Sequence, residues 1–218
     1  SLLKKCTPSV PLHASTQMSV CSLDGVEALA DLGFSRVVLS RELSFEDISY
    51  VASHSPVETE FFVHGAFCMS YSGQCYMSSI IGGRSGNRGL CAGPCRLPFK
   101  ASGGTGYDLS LKDLCLYEYI DELKEMGVSS LKIEGRMKSP AYVSGVVSIY
   151  RRLIDQKRNA TPEEMQTLRE LFSREKILTG IIRACDKTDV SVKEAEKIAE
   201  DVEAEIYNSM AKEVTSRQ

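Results

Sequence analysis

SRVVLSRELSFEDISYVASHSPVETEFFVHGAF, residues 35–67, decides the fold. It opens on a short apolar strand, SRVVLS. Ser44 then caps a helix over SFEDISYVAS, with Asp47 placed to close a capping box. ETEFFVHGAF follows as a second strand. Two apolar strands joined through a helix run parallel, because the crossover returns the chain to the same end of the sheet.

The alternation continues on both sides. PLHASTQMSV, residues 11–20, predicts a preceding strand. DGVEALADLG predicts a helix capped by Asp24, carried by Val26, Leu29 and Ala30 and stopped by Gly33. Downstream, CRLPFKASGG reads as a loop. SLKDLCLYEYIDELKEMG predicts one long amphipathic helix, with Leu111, Leu114, Tyr119, Ile120, Leu123 and Met126 near one stripe. SSLKIEG predicts a fourth strand, and SPAYVSGVVSIYRRLIDQ a helix entered through Pro140.

Four strand–helix units are half of the eight that close a (β/α)8 barrel. Residues 1–155 therefore read as a small open α/β domain or as the later half of a TIM-like barrel in an α/β protein, and the strand-like pattern that begins almost at once favours the half barrel. The sheet edges of such a half barrel invite pairing with another copy, so a homo-oligomer is expected. Residues 155–160 read as a linker. Thr161, Pro162 and Glu164 signal a helix start, and residues 161–218 predict a helical C-terminal extension.

A net charge of −3 with 25% charged residues excludes a globally basic nucleic-acid binder and leaves room for a local basic patch. No apolar run reaches the roughly 20 residues of a membrane span, so no membrane partner is expected. The first residues lack a secretory pattern. With eight cysteines, this favours a reducing, cytoplasmic setting and metal or redox chemistry over structural disulfides.

Four of those cysteines, Cys68, Cys75, Cys91 and Cys95, fall on CMSYSGQCYMSSIIGGRSGNRGLCAGPC with spacing C-x6-C-x15-C-x3-C. Glycine and serine dominate between them, so packing alone cannot order the segment. Zinc sites usually pair two short spacings, whereas iron–sulfur ligands are spaced more freely. Spacing therefore favours a cluster; a zinc site for stability and a pair of disulfides remain the alternatives.

Other candidates surround this segment. His64 stands four residues before Cys68, where it could pair with a thiol, orient a ligand or touch substrate. Arg41 and Glu42 close the strand SRVVLS at the end where barrels carry active-site groups, or simply pair with each other. Lys132, Glu134, Arg136 and Lys138 form a charged row, in which Glu134 and Arg136 could bind an acidic substrate or RNA phosphate, or bridge to each other. Arg84, Arg88 and Arg96 add positive charge beside the thiols. His13, Ser15 and Gln17 share one face of the first predicted strand. Cys6, Cys21, Cys115 and Cys185 read as core thiols. There is no HExxH and no GxSxG, so neither zinc-peptidase nor serine-hydrolase chemistry has its usual residues.

ETEFFVHGAFCMSYSGQC and the four-cysteine pattern resemble peptidase family U32, the collagenase-like proteases. PLHASTQMSV, SRVVLSREL, SSLKIEGRMKSPAYVSGVVSIYR and LFSREKILTG are similar to it as well, so the resemblance runs to about residue 184. It implies the later part of a barrel domain. Some members are described as collagen-degrading proteases. Others are oxygen-independent hydroxylation factors acting on a transfer-RNA wobble uridine with prephenate, on a ribosomal-RNA cytidine, or on ubiquinone precursors.

Those hydroxylases carry a [4Fe–4S] cluster on the same pattern. The resemblance thus implies Cys68, Cys75, Cys91 and Cys95 as its ligands, with loss of the cluster or zinc replacement on preparation in air. The KDLC…LKIEGRMKSP region looks closest to the RNA-modifying members, implying RNA hydroxylation with RNA or a small-molecule substrate as partner. The alternatives are a collagenase-like peptidase and a non-catalytic zinc-stabilised fragment.

Overall fold

The computed structural model describes residues 5–6, 9–99, 102–103, 106–135 and 138–171. It divides into two compact units, Ser1–Glu134 and Gly135–Gln218.

In the first unit β1 (His13–Ala14), β2 (Arg36–Val38) and β3 (Glu58–Gly65) run parallel, His13 facing Arg36 and Val37 facing Thr59. β5 (Ser130–Ile133) pairs parallel with β3, Glu60 facing Ser130 and Phe62 facing Lys132. The register slips between Phe62 and His64, a bulge that absorbs Val63. β4 (Leu114–Cys115) joins antiparallel at His64 and Gly65. The expected α/β class holds. The five described strands form an open sheet, parallel except for β4.

Helix α1 (Leu23–Asp31) buries Val26 and Leu29, and α2 (Phe45–His54) buries Ile48 and Val51. The two helices pack together. Both arms of the expected capping box are made at α2, Ser44 accepting from the Asp47 amide while the Asp47 carboxylate accepts from the Ser44 amide. The cap of α1 is Ser22, not Asp24: the Ser22 hydroxyl accepts from the Gly25 amide. Val37, Leu39, Phe61 and Val63, none of them more than 3% exposed, complete the core.

Two expected elements are corrected. The first strand stops after Ala14, because the Ser15 hydroxyl accepts from the Gln17 amide and starts a 3-10 turn over Thr16–Met18. His13, Ser15 and Gln17 therefore do not share a strand face. The long helix expected over residues 110–127 shortens to α4 (Ile120–Glu125), after α3 (Met77–Gly82) in the cysteine segment. Leu114 and Cys115 satisfy backbone groups at the end of β3 instead, and the Leu116 amide donates to the Val63 carbonyl at 2.8 Å. Of the predicted stripe, Ile120 and Leu123 are buried, whereas Leu111 and Tyr119 are exposed.

The second unit holds α5 (Pro140–Gln156), capped by Ser139 with Pro140 in its first turn, and α6 (Pro162–Leu171). These helices contact each other. Thr161 and Glu164 exchange hydrogen bonds, the Thr161 amide to the carboxylate at 3.0 Å and the Glu164 amide to the hydroxyl at 3.2 Å. Arg152 and Arg158 close on the same carboxylate, at 3.1 and 2.7 Å. Among the described residues, no helix is long and apolar enough to cross a membrane. The helix expected over SVKEAEKIAEDVEAEIYNSMAKEV lies outside the described residues.

Candidate functional site

The cysteine segment is pinned to the strand ends by polar contacts. Beyond β2, the Glu42 carboxylate accepts from the Ser72 amide at 3.0 Å and from its hydroxyl at 2.9 Å. The Ser72 carbonyl accepts from the Ser19 hydroxyl at 2.6 Å, and Gln74 donates to the same hydroxyl oxygen at 3.1 Å. Gly73 has φ +75°, and a Cβ there would fall 2.8 Å from the Gln17 carbonyl oxygen, so only glycine lets the loop lie this close to the turn after β1. Asn87 donates to the Gly73 carbonyl at 2.9 Å and folds the second half of the segment back on the first.

Cys68, Cys75, Cys91 and Cys95 are free thiols. The Ser78 hydroxyl reaches the Cys91 sulfur at 3.7 Å, and the Gly93 amide donates to it at 3.3 Å. Burial pushes the Cys95 thiol up, the charge of Arg96 pulls it down, and Cys68, Cys91 and Cys75 push it up again. Among the described residues no three His, Cys, Asp or Glu groups stand as a metal-binding group. The donor set nonetheless fits an iron–sulfur centre in its chemistry: four free thiols, with backbone and hydroxyl hydrogens reaching one sulfur.

Arg96 is a structural member of this region. Its guanidinium donates to the Phe67 carbonyl at 2.7 Å, the Ser110 hydroxyl at 3.1 Å and the Leu111 carbonyl, and it stands 3.7 Å from Asp113. Arg84 and Arg88 are exposed, and neither has an acidic partner within ion-pair distance among the described residues.

Arg41 and Glu42 do not form the pair the sequence allowed. Glu42 is taken by Ser72, and the Arg41 guanidinium lies 4.6 Å above the Phe62 ring with its Nε buried and unbonded among the described residues. One nitrogen reaches the Ala66 carbonyl at 3.5 Å. His64 is fully buried on β3, and its carbonyl accepts from the Glu134 amide at 2.8 Å. Gly65, at φ +124°, allows that approach, since a Cβ there would sit 2.5 Å from the Glu134 Cβ. The backbone thus brings His64 and Glu134 side by side.

Lys132 leaves the charged row and binds Glu60 at 2.8 Å, with Ser130 and Arg36 on the same carboxylate. Burial pushes Glu60 up, and Lys132, Ser130 and Arg36 together hold it below the usual carboxylate range. Lys138 lies over the Tyr142 ring, and Arg136 lies outside the described residues. Cys6, Cys21 and Cys115 are exposed, which corrects their expected place in the core; Cys185 lies outside the described residues.

The sequence reading missed the Glu42–Ser72–Ser19 clamp. Its members are 30 and 53 residues apart, and no local spacing could announce them. The serine and glycine content of the loop was the one available signal.

Residues 1–187 match the sequence model of peptidase family U32, and residues 167–218 match that of the ATP cone domain. The 23S rRNA 5-hydroxycytidine C2501 synthase of Escherichia coli is 40% identical over 161 residues, 71% of this chain and 25% of that protein. The tRNA hydroxylation protein P1 of Bacillus subtilis is 40% identical over 165 residues, 70% of this chain and 39% of that protein. A Porphyromonas gingivalis protein named collagenase is 34% identical over 178 residues, 71% of this chain and 42% of its own. The chain thus spans a quarter to about two fifths of these relatives' lengths. No solved structure matches it. With its cysteine segment and strand framework inside the matched residues 1–187, the chain belongs to peptidase family U32.

Proposed function

We propose that this chain is part of an oxygen-independent RNA hydroxylase, acting on a transfer-RNA wobble uridine or a ribosomal-RNA cytidine. In this reading Cys68, Cys75, Cys91 and Cys95 hold a [4Fe–4S] cluster. The carrying observation is the set of four free thiols on one glycine-rich loop, clamped to the strand ends. The names of the Escherichia coli and Bacillus subtilis relatives support the substrate class. When bound, the cluster supplies an electron-transfer or Lewis-acid centre.

The chain's own residues supply binding and position. Glu42 holds the Cys68–Cys75 loop through Ser72. Arg41, with no carboxylate beside it among the described residues, suits an anionic group on a small co-substrate such as prephenate, or an RNA phosphate. A backbone hydrogen bond joins His64 to Glu134. Glu134, the part-exposed member, is the carboxylate placed to exchange a proton with substrate, with the buried His64 behind it in the sheet.

Anaerobic purification with iron and sulfide analysis tests the ligand set. About four irons per chain are expected, and Cys75→Ser abolishes them. Iron content that survives this substitution, or zinc in its place, overturns the assignment.

Two further readings each rest on one observation. The collagenase relative favours peptidase chemistry, which predicts gelatin cleavage by iron-free protein. A cysteine nucleophile needs one activated thiol, whereas this segment offers four. The ATP cone match favours an adenine-nucleotide site within residues 167–218, to be read by calorimetric titration of the full chain with ATP.

A further inference from the structure

The stretch from Phe61 to Tyr107 contains no aspartate or glutamate, yet it carries Arg84, Arg88, Arg96 and Lys100 in a chain of net charge −3. The stretch that holds the four thiols is thus net positive because it lacks acidic residues, not because basic ones crowd into it. The same segment exposes large side chains that a free surface would ordinarily cover. Tyr71 is 74% and Tyr76 58% exposed, and Ile80 beside them is 83% exposed.

Hydrogen bonds bring the two kinds of group together. Asn87 donates to the carbonyl of Gly73, which lies between Tyr71 and Tyr76 in the chain, so the turn bearing Arg88 folds against the loop bearing both rings. The Arg84 Nε is held by the Leu90 carbonyl at 3.0 Å, and no acidic group occupies the rest of its guanidinium among the described residues. Arg96, in contrast, is consumed by Phe67, Ser110 and Asp113.

Exposed aromatic faces interleaved with free guanidinium groups recognise unpaired nucleotides, the rings by stacking and the cations by phosphate contact. A duplex hides its base faces and would use the charge alone. We propose that this surface docks a single-stranded segment of RNA, with Tyr71 and Tyr76 stacking on bases and Arg84 and Arg88 on phosphates. The proposal rests on the RNA reading above and places the strand beside the thiols. The charge pattern favours RNA over a protein partner, since a run without one carboxylate complements a polyanion.

Fluorescence anisotropy with the full chain and a labelled mixed-sequence RNA of about 15 nucleotides, single-stranded or in duplex, tests it. Single-stranded RNA is expected to bind more tightly than the duplex. Tyr71→Ala and Tyr76→Ala each weaken it about tenfold without changing the salt dependence, while Tyr71→Phe retains binding. Replacing Arg84 and Arg88 with glutamine lowers the slope of log affinity against log salt by about 1.4.

Because these side chains are exposed, unchanged circular dichroism is expected for every variant. RNA binding that persists unaltered in both alanine variants, or that prefers duplex, overturns the surface while leaving the RNA reading standing, and the patch then falls to a protein partner. No RNA binding at low salt overturns both.

Discussion

Residues 35–65 and residues 68–95 are neighbours in the chain and are held by opposite means. The first region is built on apolar burial: Val37, Leu39, Ile48, Val51, Phe61 and Val63 are almost completely withdrawn from solvent. The second buries little, and Tyr71, Ile80 and Ile81 stand in solvent. Polar contacts hold it instead, Glu42 and Ser19 reaching Ser72 from outside the segment and Asn87 reaching Gly73 within it. The first region is therefore held by the shared core, whereas the thiol segment depends on a few polar contacts and on whatever its sulfurs bind.

This contrast can be broken most severely in the core. Leu39→Ala removes a fully buried side chain from the end of β2 and is expected to cost about 2–5 kcal/mol in urea unfolding. A loss below 1 kcal/mol, the size expected of a surface site, would mean that the core is not what supports this region.

A smaller and local effect is expected at the clamp. Glu42→Ala leaves the Ser72 amide and hydroxyl without their acceptor, worth about 1–3 kcal/mol in local opening. Amide exchange at Ser72 and alkylation of Cys68 and Cys75 should quicken while the global melting temperature moves less than in Leu39→Ala. Glu42→Gln, which retains one carbonyl acceptor, should restore part of the protection. Equal exchange rates in wild type and Glu42→Ala would remove the clamp from the account.

The smallest effect lies in the second unit and is read by pH. Arg158 first, then the Thr161 amide and Arg152, hold Glu164 at about 2 against the opposing effect of burial. A depressed carboxylate stabilises the folded form above its ordinary value and loses that contribution as pH falls through its folded value. Exchange protection at the start of α6 should therefore decline between about 4.5 and about 2. Glu164→Gln should flatten that decline; a decline unaltered by it would assign the acid sensitivity elsewhere.

The legible parts of the sequence were those with local causes. Ser44 and Asp47 announced their capping box, and the apolar runs around Val37 and Phe61 announced parallel strands. The error over residues 110–127 arose because Leu114 fits both a helical stripe and a strand, and only the backbone groups at the end of β3 choose between them. The four cysteines were legible as a set from their spacing. The fate of Glu42 was not, because an arginine lies beside it in the chain and its real partner is 30 residues away.

By itself the sequence determined the family, the α/β alternation, the four-thiol set and a positive segment without a single carboxylate, since all of these reside in residue type and near-neighbour spacing. Only the tertiary structure decided that the described sheet is open and mixed, that Glu42 anchors the thiol loop, that Arg96 is structural while Arg84 and Arg88 are free of acidic partners among the described residues, and that Tyr71 and Tyr76 face solvent. Those outcomes depend on which distant backbone and side-chain groups satisfy one another, and that competition is settled only when the chain is folded.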